Sequence, residues 1–103
     1  MLHVVDEISR AHPALAGHFP GNPMVPGVVI LGRVCRAVAE AHGAAVAAVT
    51  VVKFHAPLRP AEPFDIGLES AGEGAVGFRV VRGETLIATG AVRIRAAAGV
   101  IAQ

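Results

Sequence analysis

The first apolar pattern in the chain is short. Leu2–Ser9 has Val4 and Val5 at its centre and predicts a brief strand. Pro13, Gly17, Pro20, Gly21, Pro23, Pro26 and Gly27 then punctuate the sequence, and four prolines and three glycines in fifteen residues predict a loop without regular structure. From Val28 to His42 the side chains are apolar around most of a helical circumference (Val28, Val29, Ile30, Leu31, Val34, Ala37, Val38, Ala41). Arg33, Arg36 and Glu40 fall on a single stripe at spacings of three and four. Gly43 follows in the position of a helix C-cap. Such a helix is mostly buried, as one wrapped by a sheet would be. Beyond it the pattern changes to segments rich in Val, Ile, Thr and Phe, namely Val46–His55, Phe64–Ser70, Ala75–Arg82 and Thr85–Arg95. Pro57, Pro60 and Pro63, Gly72 and Gly74, and Gly83 bound them. Val80–Thr85, with Gly83 inside it, reads as a hairpin turn. One strand, one helix and four antiparallel strands make an α+β order.

Length and composition sharpen this picture. The chain has 103 residues, 53% of them hydrophobic and 17% charged, which suits one folded domain spanning residues 1–103 and excludes a disordered chain. No repeat or linker divides it. So apolar a small domain is expected to bury part of its surface against another chain, as an obligate dimer or higher oligomer. Nine Lys and Arg against eight Asp and Glu give a net charge of +1. With four Phe and neither Tyr nor Trp, there is no basic stripe interleaved with aromatics, so nucleic acid is not an expected partner. Asp6 and Glu7 stand where a secretory leader would be apolar, and the weakly polar run 43–52 is too short to span a bilayer. The expectation is a cytoplasmic protein that does not engage a membrane. Cys35 is the single cysteine. With His3, His12, His42 and His55 lacking ligand spacing, neither a metal site nor a cofactor is expected.

The candidate chemistry lies in the loop and the helix start. Residues 17–29 read GHFPGNPMVPGVV, and His18-Phe19-Pro20-Gly21, Pro23 and Pro26-Gly27 give seven matching residues in ten positions. This string resembles the active-site segment of the hot-dog 3-hydroxyacyl-ACP dehydratases. Val52-Lys53-Phe54-His55-Ala56-Pro57-Leu58-Arg59-Pro60 is similar to that family's next strand and turn, so the likeness covers nearly the whole chain. It implies a hot-dog fold, an antiparallel sheet wrapped around one central helix. It also implies a short stand-alone lyase of fatty-acid or polyene-type biosynthesis, acting on an acyl carrier protein or CoA thioester. Eliminating water needs a base for the C2 proton, and a histidine titrates near the working pH, which suits His18. Charge building on the thioester carbonyl is stabilised by backbone N–H groups at a helix start, here Pro26-Gly27-Val28. Phe19, Pro26, Gly27 and Val28 are thus the expected substrate-binding residues, and Gly27 leaves room for the acyl chain.

The likeness breaks at one place. The family carries an acidic residue on the helix fourteen positions after the histidine, reaching a site shared with a second subunit. Here that position is Gly32. Glu40 lies two turns on, roughly 12 Å away, while Cys35 and Arg36 lie one turn away. Three readings stay open: another group in the chain substitutes, a different hot-dog subunit lends the acid in a heterodimer, or the chain is a non-catalytic acyl-binding subunit. A hot-dog thioesterase is a further alternative, although it too relies on a helix carboxylate. Losing one acid–base partner costs about 10² to 10⁴ in rate. Arg59, in the Pro-Leu-Arg-Pro turn, is a candidate for docking a phosphopantetheine arm. The remaining histidines, Cys35 and the Arg33–Arg36–Glu40 stripe are assigned structural or surface roles.

Overall fold

In the computed structural model, residues 2–15 and 23–95 are described. They form strand β1 (Leu2–Asp6), helix α1 (Gly27–His42), and strands β2 (Val46–Phe54), β3 (Phe64–Ser70), β4 (Ala75–Arg82) and β5 (Thr85–Ile94). This is the α+β order read from the sequence. Helix α1 begins one residue early, at Gly27, and β2 and β5 each stop one residue short, at Phe54 and Ile94. The first strand ends at Asp6 rather than Ser9, and Pro13–Leu15 form a single 3-10 turn within the segment expected to lack regular structure. Proline suits the first position of such a turn because it needs no N–H there.

All strand pairings are antiparallel, in the order β1-β3-β4-β5-β2. Alternation along the strands sorts side chains onto two faces. Phe64, Ile66 and Leu68 of β3 are buried, and the register sets Ile66 against Val80 and Leu68 against Phe78. These residues meet Ile30, Val34, Ala37 and Val38 of α1 in one core. The other face carries Gly67, Arg79, Thr89 and Lys53.

Helix α1 ends as its sequence predicts. Gly43 takes the left-handed conformation (φ 65°) and its N–H donates to the Ala39 carbonyl at 2.9 Å. At the β4–β5 hairpin, Arg82 pairs with Thr85 and Gly83 has a φ of 60°, the first central residue of a two-residue turn. The helix is less buried than its composition suggests. Val28 is 74% exposed, and only Ile30, Val34, Ala37 and Val38 are buried. Nor is its polar stripe wholly solvated, because Arg33 donates to Asp6 Oδ1 at 2.7 Å and fastens α1 to the end of β1.

Candidate active site at the helix start

The loop that delivers the chain to α1 is fixed by backbone. Val25 N–H donates to the Leu58 carbonyl at 2.8 Å, tying the helix entry to the 56–60 segment. Pro26 is the N-cap, in extended conformation (φ −62°, ψ 145°), with no side-chain cap. Its carbonyl accepts from Val29 and Ile30 at 3.0 and 3.3 Å. The N–H groups of Gly27 and Val28 donate to nothing among the described residues. First-turn amides lack intrahelical acceptors by geometry, so these two remain available to an external oxygen.

Beside them lies a cavity of about 430 Å³ lined by Met24, Val25, Gly27, Ile30, Phe54, His55, Ala56, Pro57 and Leu58. Its wall is mainly apolar, as an acyl chain requires. Phe54 packs so closely on the helix start that a Cβ on Gly27 would lie 2.6 Å from Phe54 Cζ. The neighbour that fills the space beside position 27 is the Phe54 ring. That aromatic, with Met24, Ile30 and Leu58, was not singled out from the sequence. The Lys53-Phe54-His55-Ala56-Pro57 string was the signal available.

Of the residues expected to form the site, Pro26, Gly27 and Val28 come together at the helix start. His18 and Phe19 lie outside the described residues. Gly32 does not face the cavity. It shares an exposed stripe with Val28, one turn away, and a Cβ built on it meets nothing within 4 Å. Packing within the chain therefore does not require glycine there, and a carboxylate at this position would point away from the chain's own cavity. The other groups near it offer no substitute acid. Arg36 pairs with Glu40 at 3.5 Å, both 66% exposed. Cys35 is half-buried, and burial pushes its thiol up, so it stays protonated at neutral pH. Arg59 is exposed, and its backbone N–H donates to Glu62 Oε1 at 3.0 Å. Arg82 clasps the same turn by donating to the Pro57 carbonyl (2.8 Å) and Glu62 (3.3 Å). No cluster of metal-ligating side chains occurs among the described residues, and no helix there is long and apolar enough to cross a membrane.

The architecture has close parallels among solved structures. The dehydratase heterocomplex ApeI:P from Xenorhabdus doucetiae superposes with a TM-score of 0.76 at 21% identity, over 89% of this chain and 84% of that one. A protein from Erwinia carotovora subsp. atroseptica gives 0.71 at 22% identity, over 90% and 81%. The fluoroacetyl-CoA thioesterase FlK gives 0.55 at 16%, over 93% and 85%. At such identities these likenesses establish the fold, which is the hot-dog fold. The sequence profile of one family, described as ApeI-like: ApeI dehydratase, matches residues 2–91. The chain belongs to the ApeI-like dehydratase family.

Proposed function

We propose that this chain is one subunit of a hot-dog dehydratase that removes water from 3-hydroxyacyl thioesters, with the helix acid contributed by a different hot-dog subunit. In this reading the acyl chain occupies the cavity beside Phe54, and the thioester oxygen accepts from the Gly27 and Val28 N–H groups. His18 takes the C2 proton, the C2–H electrons form the C2=C3 double bond, and the C3–O bond breaks. A carboxylic acid of the second subunit protonates the departing hydroxyl, which leaves as water. The partner substrate is a carrier-protein or CoA thioester of a fatty-acid or polyene-type pathway.

The observation that carries this reading is Gly32, exposed on the same stripe as Val28 with open space where a side chain would project. The chain keeps the carbonyl-binding helix start and lacks the acid that its family places on the helix. A partner that supplies the acid restores a complete pair, and the resemblance to a dehydratase heterocomplex supports this arrangement.

Turnover of a 3-hydroxyacyl thioester tests it. The chain alone is expected to be slow by about 10² to 10⁴, and mixing with a hot-dog subunit that carries the helix acid is expected to raise the rate by that factor. Gly32→Glu is expected to raise the activity of the chain paired with a second copy of itself, where the new carboxylate reaches the other copy's cavity, and His18→Ala to abolish activity in both settings. Absence of turnover in every combination, with folding intact, would point instead to an acyl-binding subunit. Release of free thiol without formation of the enoyl product would favour the thioesterase alternative.

A further inference from the structure

The segment that carries the chain away from β2 and the helix-start cavity reads Pro57-Leu58-Arg59-Pro60-Ala61-Glu62-Pro63. Proline offers no backbone N–H, so a segment this rich in it cannot build a ladder of its own and must be held by groups from elsewhere. The structure supplies them. Just before the segment, the Ile87 carbonyl accepts from the N–H groups of His55 and Ala56 at 2.7 and 3.4 Å. Val80 faces Ala88 and Val81 faces Leu86, so Ile87 is the extra residue of a β-bulge in β5. Within the segment, the Leu58 carbonyl accepts from Val25 N–H and the Pro57 carbonyl from Arg82 Nη1, both at 2.8 Å. Further along, Ala61 N–H donates to the Ile8 carbonyl at 2.7 Å.

Ala61 closes the turn. Its φ of 66° lies in the left-handed region, and among the described residues no other side-chain-bearing residue has a positive φ. Alanine resists that region, so the conformation persists because its surroundings impose it. With the chain turned at Ala61, the Glu62 carboxylate reaches back. Its Oε1 accepts from the Arg59 N–H at 3.0 Å and from Arg82 Nη1 at 3.3 Å. Arg82 thus bridges a carbonyl and a carboxylate from the two arms of one turn. The two side chains are 29% and 36% exposed, and an ion pair so wetted adds little to stability. Its effect lies in where it holds the turn.

Leu58 stands between this clasp and the helix. Its side chain is fully buried, and its carbonyl is the acceptor that fixes Val25, two residues before Gly27. Binding a thioester oxygen requires the Gly27 and Val28 N–H groups to aim at one point, and a misplacement of about 1 Å can cost a hundredfold in rate. The helix's own cap does not supply that aim, since Pro26 makes no side-chain cap bond. We propose that Arg82 and Glu62 are positioning residues for the carbonyl site. By clasping the 57–62 turn they set the Leu58 carbonyl, through it Val25, and so the direction of the two amides. The assignment rests on the proposed function.

Equilibrium binding of crotonyl-N-acetylcysteamine and of its thioether analogue, with a methylene in place of the carbonyl, isolates the interaction with the two amides. The wild-type chain is expected to prefer the thioester by about tenfold. Arg82→Met keeps the side-chain stem without the donors, and should cut that preference to about twofold while thioether affinity and the denaturation midpoint stay near wild type. Glu62→Met is expected to act alike, and it decides the matter should Arg82→Met not fold. Arg82→Lys retains a donor and should recover part of the preference. Hydrogen exchange at the Val25 amide should quicken about tenfold in Arg82→Met, with that of Val80 in β4 unchanged. A thioester preference that survives in the variants, two ligands that weaken together, or an unchanged Val25 exchange rate overturns the assignment. No preference in the wild-type chain removes the carbonyl site itself, and the assignment with it. In turnover of 3-hydroxybutyryl-N-acetylcysteamine with a partner subunit, kcat should fall about tenfold beyond the loss in binding, because charge building on the oxygen draws more strongly on the amides than the ground-state carbonyl does. Failure to react in any pairing, with the thioester preference present in wild type and lost in the variants, counts against the dehydratase reading and upholds the clasp.

Discussion

Two glycines show how differently the same residue is constrained by its surroundings. A Cβ at Gly90 would sit 2.2 Å from the Val51 carbonyl oxygen and 2.7 Å from Phe78 Cζ. Backbone of a paired strand cannot yield as a side-chain tip can. Gly90→Ala is therefore expected to destabilise the fold by about 3 kcal/mol, visible as a shifted denaturant midpoint. Gly32 is the opposite case. It lies in mid-helix with empty space around it, so Gly32→Ala should stabilise the isolated chain by about 1 kcal/mol through helix propensity. Loss of stability in that variant would show that position 32 is already in contact with something. The sequence revealed the absence of the acid at 32 because a motif supplied the spacing. It could not reveal the Gly90 constraint, since a close approach between strands leaves no trace in either strand's own pattern. The Phe54–Gly27 contact was hidden for the same reason: its partners are twenty-seven positions apart and nothing local couples them.

At the scale of elements, legibility follows how local the cause is. The end of α1 was readable because one residue decides it: Gly43 holds a φ of 65° that other residues resist. Gly43→Ala should cost about 1 kcal/mol in thermal or chemical unfolding, and Gly43→Asn less, because Asn tolerates the left-handed region. Equal losses for the two would argue against the cap as the cause. Strands β3 and β4 were placed at their observed boundaries for a related reason, being bracketed by Pro63, by Gly72 and Gly74, and by Gly83. Tertiary context moved what remained. The first strand stops at Asp6 because the sheet gives it partners only from Phe64 to Leu68. Arg33, from the helix's polar stripe, pairs instead with Asp6 because that strand's end lies within reach. The helix start was legible as chemistry from the Pro26-Gly27-Val28 string.

For the whole molecule the question is what covers its apolar surface. An edge strand presents unpaired N–H and C=O groups, which a strand of another chain can pair. Strand β2 is an edge nine residues long, and Val49, Val51 and Phe54 along it are 40%, 54% and 50% exposed. Val28, at the start of the helix, adds a further 74% exposed side chain. The opposite edge, β1, is five residues long, with Leu2 and Val5 exposed. The longer edge offers more backbone groups and more apolar area, so association is expected through β2, with a second copy or with a related subunit. Charges placed there would keep the backbone donors in water and block strand-to-strand pairing. Val49→Lys with Val51→Lys is expected to shift the sedimentation coefficient from dimer to monomer and to abolish rescue of turnover by a partner subunit. The matching Leu2→Lys, Val5→Lys pair on β1 should leave both unchanged. A wild-type chain that sediments as a monomer at all concentrations, alone and with hot-dog subunits, would rule out β2 as an interface. It would also remove the route by which a borrowed acid could reach this site, because a lent carboxylate requires a lasting contact between the two chains.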